Sequence, residues 1–319
     1  MEKRLAVSSS PHIRSEITTR KLMLDVLIAL IPATVAGIYY FGTRAALLIA
    51  ITTLSCVGWE YLTRKALKRS NTIGDFSAAV TGLILALNLP PQLPFWMAVV
   101  GSFFAIVVIK QLFGGLGQNF VNPALAARAI LLVAYGTKMT FWSAPLDKAA
   151  HVADAVSYAT PLGILKEGGT LPLLSEMFMG NIGGSLGETY ALALLIGGIY
   201  LLVRGVISWH IPVLFTGTVA LMAWVLGPNG MLSGDPIFHV LAGGLLLGAF
   251  FMATDYTTSP MTKKGMVIYA VGCGVLTMLF RLYTNMPEGV SFAILLMNVS
   301  VPLIDRYTAP KRFGGGARV

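Results

Sequence analysis

Ten apolar stretches set the limits on what this chain can become. Leu22–Phe41, Ala45–Leu62, Pro94–Leu112, Ile211–Leu226, Met266–Phe280 and Val290–Ile304 are long enough, as helices, to approach the ~30 Å hydrocarbon layer of a bilayer. Phe76–Leu87, Pro123–Tyr135, Tyr190–Val203 and Ile237–Ala253 are shorter and rich in small residues, and they are interrupted by Gly or followed by Pro. That is the pattern of broken or tilted helices covered by their neighbours. Only 12% of the 319 residues are charged and 55% are hydrophobic, whereas soluble domains carry about 25% charged residues. A water-soluble fold does not fit this composition.

Met1–Lys21 is polar and basic and lacks the short apolar core of a secretory signal, so no cleavage is expected. With this segment in the cytoplasm, most of the 23 lysines and arginines fall on one side. Arg44, Lys138, Lys148, Lys166 and Arg281 are left for the other, and Arg128 lies inside a segment. The positive-inside rule then places both ends, residues 1–21 and 306–319, in the cytoplasm and demands an even number of crossings. The net charge of +9 follows from that topology, and nucleic acid is not an expected partner. Cys56 and Cys273, both in apolar segments, cannot build a disulfide framework, a zinc site or an iron–sulfur site by themselves, and no metal centre is expected.

Residues 22–136 and 190–305 each hold five segments, and because five is odd the second set must enter with inverted orientation. Weak internal similarity agrees. Thr81-Gly82-Leu83, Lys110, Phe120 and Asn122 in the first half match Gly243-Gly244-Leu245, Arg281, Phe292 and Asn298 in the second. The expected fold is therefore an all-α polytopic membrane protein of about ten transmembrane helices in two inverted five-helix repeats, a plan that puts a polar pathway between the halves. Residues 137–189 carry no spanning segment and are expected on the external face, where so long a loop is usually functional.

That loop contains Asp154-Ala155-Val156-Ser157-Tyr158-Ala159-Thr160-Pro161. By spacing alone, a turn rich in Asp and Ser accounts for it. Other stretches give it more weight: Ser9-Ser10-Pro11-His12; Lys110-Gln111-Leu112-Phe113-Gly114-Gly115-Leu116-Gly117-Gln118-Asn119 with Asn122-Pro123-Ala124; Trp209-His210-Ile211-Pro212; Gly248-Ala249-Phe250-Phe251 with Thr254-Asp255; Pro287-Glu288-Gly289-Val290; and Pro302-Leu303-Ile304-Asp305. Together they resemble, over almost the whole chain, the family of membrane subunits that includes RnfD of the Rnf ferredoxin:NAD oxidoreductases and, more distantly, NqrB of the sodium-pumping quinone reductases.

In that family an Asp, two residues, a Ser, one residue and Ala-Thr form the acceptor on which a flavin transferase esterifies FMN. The resemblance implies covalent FMN at Thr160, with Asp154, Ser157 and Ala159 as motif residues. In that transfer the threonine hydroxyl attacks phosphorus of FAD, AMP leaves, and FMN stays joined by a phosphoester. The resemblance further implies an electron-transfer subunit of an Rnf-type complex that couples electron flow between ferredoxin and NAD to Na+ or H+ movement. The implied setting is a prokaryotic inner membrane, with the loop on the periplasmic side and the other Rnf subunits, a flavin transferase and the lipid bilayer as partners. Some family members also bind riboflavin non-covalently. With no cysteine cluster and no NAD fingerprint in this chain, ferredoxin oxidation and NAD reduction belong to other subunits, and no catalytic residue is expected here.

Gly114–Gly117 lacks both the Walker A lysine and the dinucleotide spacing. Tight turns between two helices explain it, and a polar lining for an ion or flavin is the other reading, with Lys110, Asn119, Asn122 and Arg128 as its candidates. Asp25, Glu60, Asp75, Lys110, Arg128, His239, Asp255 and Arg281 lie in or near apolar segments, where an unpaired charge costs several kcal/mol. Asp25, Glu60 and Asp75, near segment ends, are expected at the interface, and Arg128 in a structural pair with a carboxylate. His210 and His239 have no companion at metal-ligand spacing and read as interfacial or helix-packing residues. The competing class is a solute or ion channel or secondary transporter, for which a 5+5 inverted repeat is also a fitting plan. A purely structural membrane anchor leaves the Thr160 motif without a role.

Overall fold

The computed structural model describes residues 17–146, 158–227, 230–232, 234–284 and 289–310, and its only regular structure besides helix there is one short hairpin. Helix α1 (Thr19–Ala66) opens behind Thr18, whose hydroxyl accepts the Lys21 N–H. It is two arms joined at Gly42, where φ of 73° and ψ of −163° break the helix in a conformation that only glycine adopts without strain. The arms fold back on each other. Leu22, from the start of the first arm, lines the same cavity as Leu116, and Arg64, from the end of the second, lies against Gly115. Both ends of α1 therefore share one end of the bundle, the proximal end, and Tyr40 and Arg44 mark the distal end.

Helix α2 (Ser77–Leu87) starts from Phe76 in the left-handed conformation, with the Asp75 carboxylate accepting both the N–H and the hydroxyl of Ser77. Its 11 residues rise only about 16 Å, half a bilayer, and nearly all are buried. Pro90 and Pro91 cannot extend it. Helix α3 (Phe95–Phe103) passes into π-helical turns over Phe104–Gln111. Gly114, Gly115 and Gly117, all with positive φ, then carry the chain to Asn122, whose side chain caps α4 (Pro123–Ala134), as the tight-turn reading expects.

The long connection holds the short helices α5 (Gly136–Met139), α6 (Pro161–Glu167) and α7 (Leu174–Met179). It is tied to the distal end by backbone bonds from Leu146 to Tyr40, Leu186 to Leu89 and Gly187 to Leu87. Helices α8 (Ala191–Val203) and α9 (His210–Val225) follow, then the hairpin of β1 (Leu226–Gly227) and β2 (Gly230–Met231). Asp235 caps α10 (Pro236–Leu241), and a break at Gly243 and Gly244 separates it from α11 (Leu245–Leu247), which continues as a π turn over Gly248–Met252. Helices α12 (Lys263–Tyr283) and α13 (Val290–Thr308) complete the described chain.

All ten apolar stretches fall on helix, the first two merged in α1 and the eighth broken. Helices α1, α12 and α13 are long and apolar enough to cross a membrane by length and composition, and Ser77–Leu87, Phe95–Gln111, Pro123–Ala134, Ala191–Val203 and His210–Val225 are shorter apolar helices. One continuous core runs through Leu30, Leu48, Leu85, Leu125, Phe215 and Tyr269. A separate cluster of Leu162, Met177, Ile182, Phe238 and Ala242 lies under the long connection. On the outside, Ile31, Val35, Leu54, Val133, Val203 and Leu303 are exposed, a surface suited to lipid.

Candidate functional site

At the distal end, Asp154 and Ser157 lie outside the described residues, whereas Ala159 is exposed and Thr160 only 6% exposed. Thr160 is the N-cap of α6. Its extended backbone (φ −71°, ψ 156°) turns the hydroxyl back to accept the Gly163 N–H at 3.2 Å, and Pro161 fills the first helical position, where no N–H is needed. Tyr158 is fastened by its N–H to the Trp142 carbonyl. Leu162 anchors α6 in the small cluster and presses on Gly243, where any side chain would collide with it. Beneath this break, Arg281 donates to the carbonyls of His239 (2.6 Å) and Ala242 (2.7 Å). The buried Glu188 carboxylate stands beside Gly244. His239 packs edge-on against Phe238 and His210 stacks on Trp209, in the packing roles expected of them.

At the proximal end, a cavity partly open to the surroundings lies between elements of both halves. Lys110, Asn119 and Asn122 reach its wall; Arg128 does not. Lys110 is buried and donates to Glu60 at 2.8 Å and to the Ser77 hydroxyl at 2.6 Å, while the second Glu60 oxygen accepts from Thr72 at 2.6 Å. Glu60 therefore belongs to the interior, contrary to the interfacial place that its position near a segment end suggests. It is the counter-charge that makes a buried lysine tolerable. Asp25, buried less completely, pairs with Arg204 at 3.3 Å and accepts from the Tyr200 hydroxyl. Asp75 acts locally, as the cap of α2.

Asn119 bonds Thr257 (3.0 Å), and Asn122 spans from its cap to the Met252 carbonyl (3.3 Å), so both asparagines stitch the first half to the second. Across the cavity, Asp255 accepts from the hydroxyls of Thr257 and Thr258. Burial raises its carboxyl above the ordinary value, against these donors, which favour the charged form. Arg128 hydrogen-bonds the Ser291 hydroxyl on α13. Both cysteines are buried and free, and no group of metal-ligating side chains occurs among the described residues. Single-sequence reasoning did not find the pairing of Lys110 with Glu60 or the place of Asp255, Tyr256 and Thr257 on the cavity wall. The one signal was the presence of Asp255 in a stretch shared with the resembled family.

The sequence matches the model of the NQR2, RnfD, RnfE family over residues 6–314. It is 50% identical over 319 residues to the D-type subunit of the Na(+)-translocating ferredoxin:NAD(+) oxidoreductase complex of Acetobacterium woodii, covering 98% of this chain and 96% of that one. It is 46% identical to the D-type subunit of the proton-translocating ferredoxin:NAD(+) oxidoreductase complex of Clostridium ljungdahlii (97% and 96% covered). It is also 42% identical to the D-type subunit of the ion-translocating oxidoreductase complex of Stutzerimonas stutzeri (96% and 94%). With the match running nearly from end to end, and with the helices and cavity it encompasses, the chain belongs to the NQR2, RnfD, RnfE family.

Proposed function

We propose that this chain is the D-type membrane subunit of an Rnf ion-translocating ferredoxin:NAD oxidoreductase, carrying FMN esterified to Thr160. The single observation that carries the reading is its whole-length similarity to subunits of that name. The acceptor position fits. Thr160 offers a hydroxyl outside the helical bundle whose oxygen, among the described residues, accepts one backbone N–H, and the exposed Tyr158 and Ala159 precede it. A flavin there would supply one- and two-electron chemistry. The chain's own part is to fix the hydroxyl through the α6 cap and to hold α6 against the Gly243 break through Leu162. The cavity beside Lys110, Asn119 and Asn122 has a mostly apolar wall with a few polar groups, the chemistry of a small-molecule site. On the chemistry of that wall, we propose it as the place a non-covalent riboflavin would occupy.

We read the architecture as two inverted five-helix repeats, with both termini cytoplasmic, the loop external, and other Rnf subunits and a flavin transferase as partners. A buried cation supports this in each half. Lys110 ends one helix at the start of α2 behind left-handed Phe76; Arg281 ends another at the start of α11 behind left-handed Gly244. Mass spectrometry of the Thr160 peptide, from protein made with an active flavin transferase, tests the flavin. An FMN phosphoester on Thr160, lost in Thr160→Ala and kept in Thr189→Ala, is expected; an unmodified threonine overturns the reading. Impermeant labelling of Lys148→Cys in intact cells tests the topology, and labelling only after lysis would reverse it.

A further inference from the structure

The segment Gly168–Gly180, which connects α6 to the end of α7, has an unusual surface for a stretch outside the helical bundle. Leu171, Leu173 (67%), Leu174 and Met179 (50%) are all exposed. Its one ionisable residue, Glu176, turns its carboxylate back to accept the Leu173 N–H. Inward, Met177 is fully buried in the cluster that also holds Leu162. The segment is thus apolar on both sides, with one side already packed.

The height of this surface is fixed by tyrosines. The Tyr40 hydroxyl donates to the Met179 carbonyl at 2.5 Å, and Gly180 is wedged between the rings of Tyr40 and Tyr190, where a side chain would not fit. Tyr39, edge-on to Tyr40, is 70% exposed and continues the apolar outer face of α1 upward from Val35. The apolar part of the first arm of α1, Leu22 to Tyr40, spans about 27 Å at 1.5 Å per residue, close to the ~30 Å of one hydrocarbon thickness. These tyrosines therefore stand where aromatic belts stand, at the lipid–water boundary. Trp96 and Tyr135, paired edge-on, occupy the same end of the bundle.

From this we infer that Leu171–Met179 is an interfacial mooring: its exposed leucines and Met179 lie in the headgroup region of the distal leaflet, and its occupant is lipid, not water or another protein. The surface carries a single carboxylate, Glu176, turned back onto the Leu173 N–H; it lies level with the belt and continues the lipid-facing side of α1, as an interfacial segment requires. Because Met177 and Leu162 share one cluster, the mooring also sets the distance of α6 from the membrane.

The test uses the full-length chain in nanodiscs of phosphatidylethanolamine and phosphatidylglycerol, and again in the purified complex. Spin labels are placed at L173C, L174C and M179C, with Y39C as lipid reference and E167C as water reference. Collision with oxygen relative to a water-soluble nickel chelate is expected to be several-fold higher at the three sites than at Glu167 and close to that at Tyr39. Leu173→Trp fluorescence is expected to be quenched by brominated lipid, a readout free of label artefacts. Ratios equal to those at Glu167 would mean a water-facing surface. Shielding from both reagents only in the complex would mean a protein partner. Either result overturns the mooring.

Discussion

Two of the buried cations, Lys110 and Arg281, solve the same problem in different ways. Lys110 meets a carboxylate, Glu60, and a hydroxyl, Ser77, at the start of α2. Arg281 meets two backbone carbonyls, those of His239 and Ala242, at the break before α11. In the first corner the fitted quantity is charge, and a compact ammonium suffices. In the second, shape is fitted as well, because two carbonyls on a broken helix call for a planar fork with separate donors. The first corner should therefore be sensitive to loss of either partner and indifferent to loss of both, whereas the second should be sensitive to geometry even when charge is kept.

The largest effect is expected from Glu60→Ala, which strands a buried ammonium and should destabilise the protein by about 3–5 kcal/mol, read as a lowered thermal unfolding midpoint in detergent. Glu60→Leu combined with Lys110→Met should recover most of that loss. A double variant as unstable as the single one would break the comparison. Next comes Leu162→Ala, which empties the small cluster beneath α6 and should cost about 2–5 kcal/mol locally. It should be visible as faster proteolysis of residues 158–180, with the global midpoint little changed. Arg281→Lys keeps the charge but cannot serve both carbonyls, and leaving one buried acceptor unmet should cost about 1–3 kcal/mol. An Arg281→Lys protein as stable as the parent would mean that charge, not shape, is what the second corner needs. Smallest is Thr160→Ala, whose lost cap should cost about 0.5–2 kcal/mol. Thr160→Ser should keep the cap and the parental midpoint, separating the structural role of the hydroxyl from any modification of it.

What the sequence discloses follows from how local each signal is. Apolar length is local, so each of the ten stretches lies on helix, and the Gly243-Gly244 break and the Gly114–Gly117 turns sit where their glycines announce them. Asn122 and Asp235, next to Pro at the following position, mark helix starts that any reader of capping rules can find. Pairing is not local. Lys110 lies 50 residues from Glu60, and Arg204 lies 179 from Asp25. Hydropathy carries no information about which interior carboxylate a given cation will choose. Position near a segment end suggests that Glu60 is interfacial, yet the half-length α2 beside it buries that corner. The burial of Thr160 was equally unreadable, because it depends on Leu162 finding Phe238 and Ala242 from a distant helix. Of the four residues proposed to form the acceptor motif, Ala159 and Thr160 lie among the described residues.

The close approach of Gly197 to the Ala29 carbonyl has a mechanical consequence. With the Asp25–Arg204 pair near the proximal end of the same seam, the first half is riveted to the second at two heights, and the Gly187–Leu87 backbone bond ties the long connection to the first half near the distal end. Two bodies joined so cannot rock against each other without shearing backbone contacts that tolerate no added methyl group. A charge crossing this bundle would have to move through a stationary frame, by small displacements of side chains and short loops.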